Sequence, residues 1–215
     1  MAAMEERIIV SGGDEVRVFA PPGRETPEQI RLEGAGALCA SRGTVFCTSD
    51  WGDMVWRLDA KRLVPTGLFA GGPGMKRLLL SPDGTRLFLL CAEADSVLLL
   101  DALCGQPLVL AKAGLNPQNI ALDETGGVLA AAAGESGEVL LMSARSLTLL
   151  RRLSMPGIVF DVLLRGGAVQ ALCLNDALDT TLVTIPPIGA RQLLTLSGMP
   201  GRIMPDGERL ICATE

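Results

Sequence analysis

The stretch that decides the fold is Gly74–Ala111, GMKRLLLSPDGTRLFLLCAEADSVLLLDALCGQPLVLA. Four short apolar runs alternate in it with turn-forming sequences: SPDG at 81–84, an acidic segment at 93–95 and Cys-Gly at 104–105. Apolar runs of this length, bounded by Gly, Pro and Asp, are typical of β-strands rather than helices. We therefore predict four strands, at Met75–Leu80, Arg86–Ala92, Val97–Asp101 and Pro107–Ala111.

The same four-strand unit recurs along the whole chain. One strand of the unit begins about every 40 residues. The equivalent residues in the six copies of this strand are Ile8, Val45, Leu87, Leu129, Gln170 and Leu210. Four strands repeated at this period are characteristic of a β-propeller, in which each repeat forms one blade. We predict an all-β propeller of four-stranded antiparallel blades that occupies residues 1–215 as a single domain.

The number of strands bears on how the ring of blades would close. The N-terminal part of the sequence provides three strands of a blade, and the C-terminal part provides two more, at Arg202–Pro205 and Arg209–Thr214. Joining these ends would hide exposed strand edges, because a closed ring has none. We therefore expect five blades closed by N- and C-terminal strands. A sixth, incomplete blade, or an edge used for dimerisation, would also accommodate the surplus strand.

The repeats resemble the YVTN-type, lactonase-like β-propeller family. The resemblance rests on GPGMKRLLLSPDGTRLF with DSVLLLDALCG, on NPQNIALDETGGVL with GEVLLMSARS, and on GRIMPDGERLI, and it extends over nearly the whole chain. The motif Tyr-Val-Thr-Asn itself is absent, because the chain contains no Tyr. The family includes surface-layer proteins, lactonases and scaffolds, so the resemblance implies the fold and leaves the function open.

Composition argues against several classes of protein. The chain contains no His, which excludes a Ser-His-Asp arrangement and a His metal ligand. A net charge of −5 and 3% aromatic residues argue against nucleic-acid binding, which uses a basic surface and stacking side chains. No uninterrupted apolar run reaches the roughly 18 residues of a membrane span. We expect no membrane association, no metal and no cofactor.

The N-terminal sequence and the cysteines bear on the cellular compartment. MAAMEERIIV lacks the basic start and the long apolar stretch of a signal peptide. We therefore expect a cytoplasmic protein, in which the six cysteines are reduced thiols. Four of them fall at equivalent positions of the repeat: Cys47, Cys91, Cys173 and Cys212. They could form a thiol cluster that binds a soft metal, or occupy a position that requires a small buried residue.

Acidic residues concentrate in the loops that join the second and third strands of each repeat. In a propeller these loops lie on the same face as the links between blades, and none of them contains Lys or Arg. We therefore predict one acidic face. The candidate binding residues on it are Asp50, Trp51, Asp53, Glu93, Asp95, Glu135, Glu138, Asp176 and Asp179. Converging carboxylates attract cations, and a Trp can stack on a ligand, but turns also favour Asp because its side chain bonds nearby backbone.

These features favour a non-catalytic binding or protein-interaction module that uses its acidic face. The expected partner is a basic protein, a basic peptide or a cationic small molecule. A lactonase-type hydrolase is the alternative, with a carboxylate as base, but it would also need an oxyanion partner. No Arg or Lys occurs in the loops of that face except Lys112, near a link. A structural module that forms a homodimer through a free strand edge is a third possibility.

Overall fold

The computed structural model describes residues 2–4, 7–19, 28–41, 43–49, 52–206 and 209–214. All regular secondary structure in these residues is β-strand, as predicted. No helix of this part of the chain is long and apolar enough to cross a membrane.

The strands form successive sheets in which neighbours in sequence are neighbours in the sheet. The first sheet contains β1 (Ala2–Met4), β2 (Arg7–Gly12), β3 (Glu15–Phe19) and β4 (Glu28–Arg31). The second contains β5 (Ala35–Ser41), β6 (Thr44–Ser49), β7 (Met54–Asp59) and β8 (Pro65–Ala70). The third contains β9 (Met75–Leu80), β10 (Arg86–Cys91), β11 (Ser96–Asp101) and β12 (Pro107–Lys112).

The remaining strands continue the same order. The fourth sheet contains β13 (Pro117–Leu122), β14 (Val128–Ala133), β15 (Glu138–Ser143) and β16 (Leu149–Ser154). The fifth contains β17 (Ile158–Arg165), β18 (Ala168–Leu174), β19 (Thr180–Ile185) and β20 (Gln192–Leu196). The last is a hairpin of β21 (Pro200–Asp206) and β22 (Arg209–Thr214).

The predicted closure of one blade by N- and C-terminal strands is wrong. The N-terminal sheet already has a fourth strand, β1, which pairs with β2 through Ala2↔Ile9 and Ala3↔Ile8. The hairpin β21–β22 is a separate two-stranded sheet. Because β1 takes the edge of β2, the position that the C-terminal strands were expected to fill is occupied. The number of blades, including the alternative of a sixth, incomplete one, stays a prediction.

The chain divides into two compact units. The first consists of Met1–Ala94 and Leu98–Val109, and the second of Asp95–Val97 and Leu110–Glu215. The core of the first includes Phe46, Leu87 and Leu89, and the core of the second includes Val159, Ala171 and Val183. The assignment of residues 1–215 to a single domain stays a prediction.

Burial explains why the apolar runs form strands. The second strands of the middle sheets, β6, β10 and β14, are buried at every position after the first. Strands covered on both faces read as continuous apolar runs, which is the pattern of the sequence. The last strands, such as β16 and β20, are mostly exposed. Even the Ala-rich β14 is a strand, because tertiary burial overrides its helical propensity.

The SPDG turn between β9 and β10 is held by Asp83. Its Oδ1 accepts hydrogen bonds from the hydroxyl of Ser81 at 2.6 Å, and from the hydroxyl and N–H of Thr85 at 2.8 and 3.0 Å. Gly84 has the positive φ, 75°, that the sequence predicts for the end of this turn. The bonds from Ser81 and then Thr85 lower the pKa of Asp83 to about 2.

Replacing Asp83 by Ala is expected to lower the free energy of unfolding by about 1 kcal/mol at pH 7, since Asp83 is exposed and solvent weakens its bonds. Because its pKa is lowered on folding, the charge contributes above the ordinary value of 3.8 and is lost as the pH falls to about 2. Urea unfolding at pH 7 and pH 2 measures this. The Asp83→Asn variant, which cannot ionise, serves as the control. A loss that is equal at both pH values would show that the charge contributes nothing.

Candidate functional site

Several acidic residues in the loops after second strands bond to the links between sheets. In the first unit, Asp14 accepts a hydrogen bond from the N–H of Gly34 at 3.0 Å. In the second unit, Asp95 accepts one from the N–H of Asn116 at 2.8 Å, and Glu135 accepts one from the Asn116 side chain at 3.1 Å. Asp14 and Asp95 thus tie the loop after a second strand to the link that leads into the next sheet, and Glu135 bonds to the link that leads into its own sheet. Their geometry supports the structural interpretation of turn acids.

The remaining acids of the second unit are also placed on its surface. Glu138 forms an ion pair with Arg152 at 2.9 Å, and both side chains are partly exposed, so the pair contributes little. The loop at 175–179 is closed by the Asn175 side chain, which accepts a hydrogen bond from the N–H of Asp179 at 3.0 Å. Asp176 is exposed. Neither Asp176 nor Asp179 lines the cavity of about 350 Å³ that opens beside Asp123 and Arg165.

Asp50 and Trp51 lie outside the described residues. Their predicted roles in binding, including the stacking of Trp51 on a ligand, therefore stay predictions. The single acidic face, to which loops of both units would contribute, also stays a prediction.

Asp53 and Glu93 are brought together in the first unit. Both line an open pocket of about 560 Å³, which we call the acidic pocket. Its lining also includes Ser49, Gly74, Met75 and Lys76. Asp53 belongs to the β6–β7 loop and Glu93 to the β10–β11 loop, so two successive sheets each contribute one carboxylate. Asp53 and Glu93 are thus two predicted site residues that share a pocket.

Two backbone features position these carboxylates. Asp53 has a left-handed φ of 52°, and its carbonyl accepts a hydrogen bond from the N–H of Gly71 at 2.7 Å. Glu93 packs directly against Gly74, where an added Cβ would lie 2.6 Å from its Cγ and 2.9 Å from its N. Gly74, with a φ of 65°, therefore permits both the turn and the close approach of Glu93.

Lys76 is a pocket residue that sequence reasoning missed. Met75 pairs with Cys91, and Arg77 pairs with Leu90, so Lys76 is the extra residue of a β-bulge. A bulge re-aims a side chain and often lies next to a site. The alternation of residues along β9 does not reveal it, but the Gly-Pro-Gly sequence just before the strand is a signal of irregular backbone. Ser49, whose hydroxyl donates to the carbonyl of Glu33 at 2.8 Å, was also missed.

The thiol of Cys91 lies close to the acidic pocket. An added Cβ at Gly72 would be 2.7 Å from its Sγ. Burial, and then the charge of Asp53, raises the pKa of Cys91 to about 11, so the thiol is protonated at neutral pH and is a poor nucleophile. The acidic pocket therefore offers two carboxylates, one ammonium and a hydroxyl oxygen, which is a set for binding rather than for covalent catalysis.

The repeated cysteines are mostly buried. Cys47, Cys91 and Cys173 are at most 1% exposed, and Cys212 is partly buried. Burial raises the pKa of Cys173 to about 12. Since a soft metal binds the thiolate, and burial favours the thiol, this supports the interpretation that the position requires a small buried residue. The described residues contain no group of three or more Cys, Asp or Glu that could hold a metal ion.

Comparison with known proteins supports the fold. No family model matches the chain, and no curated protein matches it. Among solved structures, Kuenenia stuttgartiensis hydrazine synthase is similar at a TM-score of 0.65 and 18% identity, over 80% of this chain and 52% of that chain. The dihydro-heme d1 dehydrogenase NirN in complex with DHE has a TM-score of 0.67 and 18% identity, over 80% of this chain and 39% of that one.

A third similar structure is a functionally unknown protein from Desulfotomaculum acetoxidans DSM 771, with a TM-score of 0.77 and 16% identity, over 96% of this chain and 72% of that chain. The chain thus spans about half or less of the length of the first two structures. Hydrazine synthase and NirN are β-propeller proteins. At these identities the likeness concerns the fold alone. The chain has a β-propeller fold, as the sequence predicts.

Proposed function

We propose that this propeller is a non-catalytic binding module whose acidic pocket takes a basic group. The group belongs to a cationic small molecule or to a side chain of a basic protein or peptide. The observation that carries the proposal is the joint lining of one open pocket by Asp53 and Glu93 from two sheets. Its volume of about 560 Å³ falls in the range of about 300–1,000 Å³ that is usual for ligand sites.

The charge of the lining favours a single positive group. Asp53 and Glu93 contribute two formal negative charges and Lys76 contributes one positive charge, which leaves a net charge of −1 among the lining residues that the structure describes. A monocation neutralises this lining, whereas an anion would meet two carboxylates. An ammonium or guanidinium group, which has several N–H donors, can bond to both carboxylates at once.

Two further parts of the proposal come from the sequence. We propose that the protein is cytoplasmic and that it belongs to the YVTN-type, lactonase-like family. The lactonase-type hydrolase and the self-associating module have no specific observation in their favour among the described residues, so they stay alternatives to be tested.

We expect the double variant Asp53→Asn, Glu93→Gln to bind a basic probe at least about tenfold more weakly, which corresponds to about 1.4 kcal/mol. Both replacements keep the size of the side chain, and Asn tolerates the left-handed backbone of Asp53. The probes are spermidine and a tetralysine peptide, and the measurement is isothermal titration calorimetry at about 0.15 M salt, where long-range attraction is screened.

The matched control is Asp206→Asn, Glu124→Gln, which removes the same charge from exposed positions of the second unit. It should leave the affinity within about twofold of the wild type, because exposed charges act only weakly. Equal weakening in both double variants would mean that the probe responds to overall charge. That result would overturn the pocket as the binding site.

A further inference from the structure

A second, smaller cavity of the first unit lies beside Arg57. Its volume is about 120 Å³, and it is separate from the acidic pocket, with which it shares no lining residue. It opens among the β5–β6 hairpin, the middle of β7, and the turns that follow β9 and β11.

The position of Arg57 in β7 directs its side chain over the sheet. Its partners across the neighbouring strands are Phe46 and Gly67, and directly opposite residues of antiparallel strands share a face. Phe46 is 2% exposed, so it forms an apolar floor. Gly67 has no side chain, and a Cβ added there would lie 3.6 Å from the Cβ of Arg57. The Arg57 side chain therefore occupies space that Gly67 leaves open.

The guanidinium of Arg57 is poorly satisfied. Its Nε is buried and has no hydrogen-bond partner in the described part of the chain, and its Nη1 reaches the carbonyl of Leu103 only at 3.4 Å. No salt bridge to Arg57 occurs among the described residues. A buried donor left without an acceptor costs about 1–3 kcal/mol, and more when it is charged. Such a group calls for an acceptor that the described residues do not provide.

The cavity next to this guanidinium can hold that acceptor. Ser41 and Thr44 line it with hydroxyl groups that form no side-chain hydrogen bond to another described residue. Leu80 and Ala102 provide apolar wall. At roughly 30 Å³ for each water-sized volume, the cavity has room for about four heavy atoms. This is the size of a carboxylate with a short alkyl tail.

Asp83 limits the charge of the occupant. It also lines the cavity, but its Oδ1 is already bonded to Ser81 and Thr85. The pair of Arg57 and Asp83 gives a lining with no net charge before a ligand enters. One further negative charge can pair with the guanidinium, whereas a dianion would be repelled by the Asp83 carboxylate.

We propose that this cavity binds a small monocarboxylate, whose oxygens accept hydrogen bonds from the guanidinium of Arg57 and whose short apolar tail packs on Phe46 and Leu80. Arg is suited to this role because its planar N–H groups match a carboxylate in a two-point arrangement. The carboxylate belongs either to a free short-chain acid or to the C-terminus of a peptide, since both present the same group.

The test follows the Arg57 Nε–H resonance by ¹H–¹⁵N NMR while sodium acetate is added to the wild-type protein at pH 7. We expect a saturable shift of this resonance that sodium chloride at equal ionic strength does not produce. Phosphate at pH 8, where it is a dianion, should shift it at least about fivefold less at equal concentration. A shift that is equal with chloride, or larger with phosphate, would overturn the proposal.

Two variants provide a second readout through the melting temperature. Acetate should raise the melting temperature of the wild type and of Arg62→Gln, a variant of an exposed Arg in the same unit, but not that of Arg57→Gln. If Arg57→Gln does not fold, the NMR titration of the wild type decides by itself.

The dipeptide Ala-Ala and its C-terminal amide distinguish the source of the carboxylate. Tighter binding of Ala-Ala than of acetate, lost in the amide, identifies a peptide C-terminus, and the reverse order identifies a free acid.

Discussion

Replacing Gly157 by Ala is expected to lower the free energy of unfolding by about 3 kcal/mol or more. Gly157 lies in the link that leads into β17 and has a φ of 128°, a backbone conformation that is essentially restricted to Gly. An added Cβ would lie 2.0 Å from the carbonyl oxygen of Leu174 and 2.9 Å from its carbonyl carbon. These are backbone atoms at the end of β18, so they cannot rotate away as a side chain would. Backbone strain and the steric clash therefore add.

The control for this prediction is Gly166→Ala in the same unit. Gly166 also has a positive φ, 54°, but no atom lies within 4 Å of its added Cβ. The free energy of unfolding of Gly166→Ala should fall by only about 1–2 kcal/mol, which is the cost of an Ala in the left-handed conformation. Urea unfolding, with the midpoint and slope compared between variants, measures both. Equal losses would show that the close approach of Leu174 does not determine the requirement for Gly157.

The blades were predictable because their signals are local. Within Gly74–Ala111 the predicted strand Met75–Leu80 is confirmed at both ends, and the others differ by one residue at an end. The turn glycines Gly84 and Gly126 have the positive φ that the repeat predicts. Each of these features depends on residues a few positions apart, so a single sequence contains the information.

The closure was not predictable because β1 is too short. Three residues, AAM, give no alternation that can be recognised against the glutamates that follow. The strand forms because β2 offers it a complete edge, which is a tertiary cause. The sequence therefore shows only three strands for the N-terminal sheet. The C-terminal strands were predicted to complete it, but β1 takes that place.

The site was predictable only in part, because the role of a loop carboxylate depends on its neighbours. The sequence assigns Asp53 and Asp95 to equivalent loops, yet only Asp53 lines the acidic pocket, while Asp95 bonds the link at Asn116. Partners 20 or more residues away determine this difference. Lys76 and Arg57 were not predicted for a similar reason. The bulge at Lys76 and the cavity beside Arg57 arise only when the strands pair into sheets.

Removing the carboxylate of Asp161 is the second change with a large expected effect. Asp161 is 2% exposed and is bonded to three inner strands of the second unit. It accepts hydrogen bonds from the N–H of Val162 at 2.9 Å in its own strand β17 and from the N–H of Ile203 at 2.8 Å in β21. The side-chain amide of Asn119 in β13 also bonds to it.

We expect Asp161→Ala to lower the free energy of unfolding by about 3 kcal/mol. The replacement leaves the buried N–H of Ile203 without this acceptor and creates a small cavity, and each lost bond to a charged group contributes about 1.5–3 kcal/mol. Amide hydrogen exchange at Ile203 should become faster, because Asp161 joins the two-stranded hairpin to β17. Asp176→Ala, at an exposed loop position of the same unit, should stay within about 0.5 kcal/mol of the wild type.

The pH dependence of the stability tests the state of the buried Asp161 carboxyl. Burial raises the pKa of Asp161 above 3.8, although the bonds from Ile203, Asn119 and Val162 act in the opposite direction. Since the folded protein holds this proton more tightly than the unfolded chain, the stability that Asp161 contributes is complete below pH 3.8 and decreases as the pH rises through the folded pKa. The Asp161→Asn variant does not titrate at this position. Urea unfolding should therefore show that the wild type loses free energy of unfolding relative to Asp161→Asn as the pH rises from 4. A difference that moves in favour of the wild type would mean that the three donors outweigh burial and keep the carboxylate ionised in the folded protein.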